Sequence, residues 1–204
     1  MSKYINWFIK KSKIARDLLK LELFPNVKEV QESYGMFCAC RKIIFDLKDE
    51  SVLCIVVGDG ARPRTGCTIV FNSLWSALSI DPALKKLKPS LIKKLKKVKR
   101  FDYIPYKIEE IINQMQYQED ENKKYKTLIY LHPHSHALLS DTLCFHNIFF
   151  KKYNFKTWLI SMPCCVKDNL HMNCYSYVDN FIHSEKNRIN IYPIQNANLK
   201  ELNI

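Results

Sequence analysis

Apolar positions along the chain change period several times, and each change marks an element. Across residues 3–24, Ile5, Phe8, Ile9, Leu18, Leu19 and Leu21 recur at helical spacing, with lysines and arginine on the other face, until Pro25 stops the pattern. A second helical stretch spans 27–47, with Val30, Tyr34, Phe37 and Ile44 inward. At 51–57 the periodicity vanishes into a continuous run rich in Val and Ile, which predicts a parallel strand buried on both faces. Gly58-Asp59-Gly60 closes it. Helical and continuous apolar runs then alternate, with helices expected at 64–74, 89–99, 108–117 and 137–153 and strands at 76–80, 101–104, 127–131 and 158–162. Segment 118–124 is polar and reads as a surface connection. Alternation at 174–182 and 188–194, across the turn-like 183–187, suggests a closing antiparallel hairpin. The order is that of an α/β fold with a mostly parallel sheet over residues 51–204, preceded by a helical extension over 1–50. Segment 166–173 is expected to be a short loop where such folds usually carry a helix.

With 204 residues, 47% of them hydrophobic, the chain can bury a full core, which excludes disordered and fibrous classes. No run approaches the roughly 18 apolar residues of a membrane span. The first residues lack the order and cleavage site of a secretion signal. An intracellular setting, cytoplasmic or nuclear, and reduced thiols are therefore expected for the eight cysteines. Neither Cys38-x-Cys40 nor Cys164-Cys165 has the spacing of a structural zinc site.

Charge points to partners. There are 32 Lys and Arg against 20 Asp and Glu, a net +12. Nine basic residues and no acid fall between Lys85 and Arg100. Lys93, Lys94, Lys96, Lys97 and Arg100 are candidate contacts to a nucleic acid, RNA being favoured. The alternative is a solvated helix face. Tyr103, Tyr106 and Tyr117 follow the segment and offer rings for stacking on bases, or belong to the core. The N-terminal helices are a candidate surface for a protein partner.

Candidate chemistry gathers at strand ends, where α/β folds bind ligands. The Gly58-Asp59-Gly60 turn allows close backbone approach, and Arg62 and Arg64 beyond it can hold a carboxylate or phosphate. The alternative is a tight turn with solvated arginines. Asp81-Pro82 ends the next strand about 20 residues on, where a carboxylate accepts from ribose hydroxyls; a plain Asp-Pro turn is the other reading. His132, His134 and His136 alternate at the end of the fourth strand. If extended, they share one side, suited to a metal or to acid–base work by one of them. Otherwise they bond backbone and cap the next helix. Cys164 and Cys165 close the fifth strand as ligand, nucleophile or pocket wall. No acidic residue completes a ligand set, so no metal is assigned, although a metal-dependent enzyme built on the His and Cys cluster stays as a third reading.

Leu131-His132, then Ser140-Asp141, then Met162-Pro163-Cys164-Cys165 resemble a group of S-adenosylmethionine-dependent methyltransferase domains. That group includes tRNA 2′-O-methyltransferases. Its fourth strand ends in Leu-His-x-Cys, with His134 here in place of Cys, and its fifth in Pro-Cys-Cys. The resemblance covers roughly 51–194 and implies a Rossmann-like methyltransferase fold with S-adenosylmethionine as cofactor. It implies that Gly58, Asp59 and Gly60 pack along the methionine part, that Asp81 holds the ribose, and that His132 and His134, the candidate catalytic residues, line the junction with the acceptor. The glycine turn lacks the family's Gly-x-Gly continuation, and no lysine-centred catalytic set is found. A methyltransferase acting on RNA is the leading expectation; a catalytically inactive module binding nucleic acid or a protein complex is the alternative.

Overall fold

The computed structural model describes residues 2–114, 124–163, 170 and 172–194. Tyr117, Cys164, Cys165 and most of the expected loop at 166–173 lie outside the described residues. Among the described residues seven strands form one sheet: β1 (Val52–Val57), β2 (Ser76–Ile80), β3 (Phe101–Ile104), β4 (Thr127–Pro133), β5 (Lys156–Met162), β6 (Tyr175–Val178) and β7 (Arg188–Ile194). Their order is β3-β2-β1-β4-β5-β7-β6. The chain leaves β1 toward one edge and returns to β4 on its other side, so a crevice opens at the carboxyl ends of β1 and β4.

All six β1 residues are buried. Val52, Cys54 and Val56 join one apolar cluster, while Leu53, Ile55 and Val57 join another. That two-sided burial is why the strand reads as an unbroken apolar run. The first cluster includes residues of α1 (Lys3–Lys10), α2 (Ser12–Lys20), α3 (Val27–Ile43), α4 (Arg64–Asn72) and α5 (Pro89–Leu95). The second takes α6 (Ile108–Gln114) and α7 (Leu139–Phe149). The N-terminal helices thus share a core with the sheet.

One expectation is corrected. The helix expected over 3–24 is two helices. The chain turns at Lys11 (φ −87°, ψ 59°), whose Nζ is 3.2 Å from Asn72 Oδ1 on α4. The break lets Ala15 and Leu18 rejoin the cluster that holds Tyr4 and Phe8. The expected C-terminal antiparallel hairpin is present, with β7 lying between β5 and β6, antiparallel to both. The more apolar strand thereby gains two neighbours, and the exposed β6 takes the edge. Asp81 opens an unanticipated 3-10 helix, Pro82–Lys86.

α3 is buried almost all round between Val30 and Phe37. Asn26 caps it, its Oδ1 accepting from Glu29 N–H at 3.0 Å. A Cβ on Gly35 would lie 2.4 Å from Ile182 Cδ1, so the segment after β6 presses directly on this helix.

Candidate functional site

The turn after β1 is built on two left-handed glycines, Gly58 (φ +78°) and Gly60 (φ +76°). Gly58 N–H donates to Ile80 O at 2.8 Å, tying the turn to the end of β2. Between the glycines, Asp59 is only 2% exposed. Its carboxylate accepts from Thr65 N–H (2.9 Å), Gly66 N–H (3.0 Å) and Ser79 Oγ (2.8 Å). Burial pushes its carboxyl up, against those three hydrogen bonds and the nearby Arg64. Asp59 therefore brackets the first turn of α4 against β2 and lies outside the cavity wall.

Asp81 does line the cavity. One carboxylate oxygen accepts from Gly60 N–H at 2.9 Å and the other from Ala83 N–H at 2.7 Å. Two of about four lone-pair positions are thereby used among the described residues. The cavity measures about 880 Å³ and sits at the ends of β1, β2 and β4, walled by Val57, Gly58, Gly60, Arg64, Ile80, Asp81 and Pro82 on one side and residues 133–137 on another.

The three histidines part company. His132 is fully buried, with Nε2 2.9 Å from Thr142 Oγ1 on α7, and burial lowers its pKa to about 3. It is absent from the cavity wall. His134 turns left-handed (φ +54°), and its N–H donates to Met162 O at 3.0 Å. That turn ends the extended alternation, so the three rings do not share a side. No group of three His, Cys, Asp or Glu suited to a metal occurs among the described residues. His134 and the exposed His136 both line the cavity.

The third wall was not read from the sequence. The start of α3 contributes Lys28, Glu29 and Glu32. His134 Nε2–H donates to Glu32 Oε1 at 3.0 Å, and Lys28 Nζ lies 3.6 Å from the same oxygen. Arg64 pairs with Glu29 at 2.9 Å, so its guanidinium is already engaged. His183–Lys186, after β6, complete the rim, held where His183 N–H donates to Gln31 Oε1 at 3.3 Å. Only the i, i+4 spacing of Lys28 and Glu32 was visible beforehand.

The basic segment is unevenly available. Arg100 donates to the carbonyls of Val70 (2.9 Å), Ser73 (3.0 Å) and Trp75 (3.4 Å), closing the end of α4. Lys94 pairs with Glu22 at 2.9 Å. Lys93, Lys96 and Lys97 are exposed. Tyr106 lines the cavity beneath Lys85, whose Nζ is 4.4 Å from its ring centre. No described helix is long and apolar enough to cross a membrane.

The chain matches no protein-family model and no curated protein. Among solved structures it resembles MtNAS in complex with MTA and tNA, with a TM-score of 0.52 and 8% identity over 93% of this chain and 74% of that one. It also resembles a putative methyltransferase, yhhF, from Escherichia coli (TM-score 0.47, 13% identity, 80% and 84% covered). A rRNA methylase from Streptococcus thermophilus gives 0.40 at 8% identity, with 78% and 97% covered. Such identities speak to fold. With β1 and β4 flanking the crevice, one antiparallel strand between β5 and β6, and helices on both faces, the chain has the Rossmann-like methyltransferase fold.

Proposed function

We propose that the chain is an S-adenosylmethionine-dependent methyltransferase with its cofactor in the cavity and an RNA as acceptor. The observation that carries this reading is Asp81. Its carboxylate sits on the cavity wall at the end of β2, oriented by Gly60 N–H and Ala83 N–H, with lone pairs left, among the described residues, for a vicinal diol.

The surroundings fit the cofactor. Val57, Ile80, Pro82 and Ile108 give an apolar flank for a purine, and the volume is within the usual range for such ligands. A Cβ on Gly60 would meet only Arg64 Nη2, at 3.5 Å, so the backbone there leaves open space. MtNAS, which shares the fold, has been crystallised in complex with MTA and tNA. When bound, the cofactor supplies an electrophilic methyl group. The chain's task is to orient an acceptor in line with it and to receive a proton where one is released. The Glu32–His134 pair borders the cavity and is the group suited to hold that proton. His134 Nε2–H is already given to Glu32 Oε1, and Nδ1 is buried without a partner among the described residues, so the Glu32 carboxylate is the member of the pair that receives the proton. RNA as acceptor is supported by the net +12 and by exposed Lys93, Lys96 and Lys97.

Calorimetric titration with S-adenosylmethionine and S-adenosylhomocysteine tests the reading. Binding is expected, weakened roughly 10- to 150-fold in Asp81→Asn, the range for losing a charge-assisted hydrogen bond. Absence of binding to folded protein would refute it and favour a non-catalytic module. Transfer of labelled methyl from the cofactor into RNA tests the acceptor.

A further inference from the structure

A second hollow, about 670 Å³, lies between α1, the end of α3 and the edge strand β6, away from the cavity just described. Its walls alternate rings and cations. Lys42 Nζ is 4.3 Å from the Tyr177 ring centre and 5.9 Å from that of Tyr175. The Arg41 guanidinium is 5.0 Å from the Trp7 ring, and Lys3 Nζ is 5.1 Å from Phe181. Phe45 stands 83% exposed at the rim, and Tyr175 on β6 is 59% exposed. A smaller hollow continues the groove along α1 past Lys3, Trp7 and Lys10.

The charge here is one-sided. Asp179 is the one carboxylate among the described residues lining the groove, and it is buried, bonded to Tyr4 Oη and to Phe181 N–H. Among the described residues Lys3, Arg41 and Lys42 enter no ion pair with a carboxylate. Buried Arg41 Nε and Tyr177 Oη have no hydrogen-bond partner among the described residues. Exposed rings interleaved with unpaired cations match a polymer that alternates flat bases with phosphates. A concave row of rings reaches unstacked bases, which a duplex does not offer.

We propose that this groove binds single-stranded nucleic acid, RNA in particular. The inference does not depend on cofactor binding in the other cavity, and the two tests fail separately.

The measurement is fluorescence anisotropy on the full chain without cofactor, using a short labelled oligouridylate alone and annealed to oligoadenylate. The single strand is expected to bind more tightly than the duplex. Phe45→Ala should weaken it about 5- to 150-fold, the range for removing one base–ring stack, with an unchanged melting temperature. Lys42→Ala should lower the slope of log affinity against log salt by about 0.7, one phosphate contact on a single strand. Lys96→Ala/Lys97→Ala on the segment after α5 should have the smaller effect. Parental affinity in both groove variants, or a loss confined to the Lys96/Lys97 variant, would overturn the proposal. So would a duplex bound as tightly as the single strand. A groove variant that binds RNA normally but shifts from dimer to monomer on gel filtration would also overturn it, assigning the face to self-association.

Discussion

Gly58→Ala is the sharpest test of the site's construction. Gly58 has φ +78°, and a Cβ there would lie 2.3 Å from Ser135 Oγ, 2.7 Å from Ser135 Cβ and 2.9 Å from Ser135 Cα. The first contact is relieved by rotating a side chain; the third is with backbone and is not. Left-handed backbone costs a residue with a Cβ roughly 1–2 kcal/mol. Forcing an atom into a packed place costs roughly 1–3 kcal/mol more. The expected loss is about 2–5 kcal/mol, or about 4–20 °C of melting temperature for a chain of this size.

The neighbouring glycine is an internal control. Gly60→Ala has the same backbone sign (φ +76°) but nothing closer than Arg64 Nη2 at 3.5 Å, so it should lose only the backbone part, about 1–2 kcal/mol. Adding Ser135→Gly to Gly58→Ala should recover part of the deficit, because it removes Oγ and Cβ but leaves Cα and φ. Full recovery is not expected, as Ser135 Oγ also accepts from Ala137 N–H at 3.1 Å. Thermal melts followed by circular dichroism read all four proteins. Equal melting temperatures for Gly58→Ala and Gly60→Ala would refute the reasoning, since the close approach of the two strand-end loops would then carry no cost.

Acid sensitivity follows from two buried histidines. Burial lowers His132 to about 3 and His146 to about 4, Lys151 adding to the latter. Both titrate near 6.5 when unfolded. Below that pH the unfolded chain binds protons that the folded chain refuses, so stability present above 6.5 is lost as pH falls, at about 1.4 kcal/mol per unit per histidine. The pair should lose roughly 3 kcal/mol between pH 6.5 and 5, and His132→Gln should show about half that slope in urea titrations. For Arg100→Ala we expect a loss of about 2 kcal/mol in urea, from three bonded carbonyls at a partly open site, with RNA affinity nearly unchanged. Arg100→Gly should lose less, because Arg100 is itself left-handed at φ +61°.

The sheet was legible wherever burial is two-sided. β1 and β4 announce themselves as unbroken apolar runs because each presents alternate residues to two different clusters. Hairpin alternation announced β6 and β7, but local pattern says nothing about which strand meets β5. The site was legible only in part. Asp81 and the glycine turn follow from spacing along β1 and β2. The partition of the histidines does not, because it rests on one left-handed residue, His134, whose type gives little warning. Glu32 meets His134 across 102 residues of sequence, and Glu29 meets Arg64 from the same helix. Such pairs are products of tertiary packing, and no periodicity encodes them.

The role of α3 follows from those pairs. Its first turns carry Glu29 and Glu32 into the cavity wall, while Cys38, Arg41 and Lys42 from its other end line the groove. At 17 residues it spans about 25 Å, so one rigid element walls both. The segment after β6 is fastened to the same region, through Gln31 Oε1 to His183 N–H, through Tyr4 to Asp179, and through Ser2 Oγ donating to Phe181 O at 2.6 Å. Residues 179–186 therefore contribute to both surfaces while resting on the N-terminal helices. Removing residues 1–50 would take away one wall of the cavity and one wall of the groove, and would uncover the cluster that holds Val52, Cys54 and Val56. The helical extension is thus an integral part of the site, which a sheet completed from residue 51 onward would not possess.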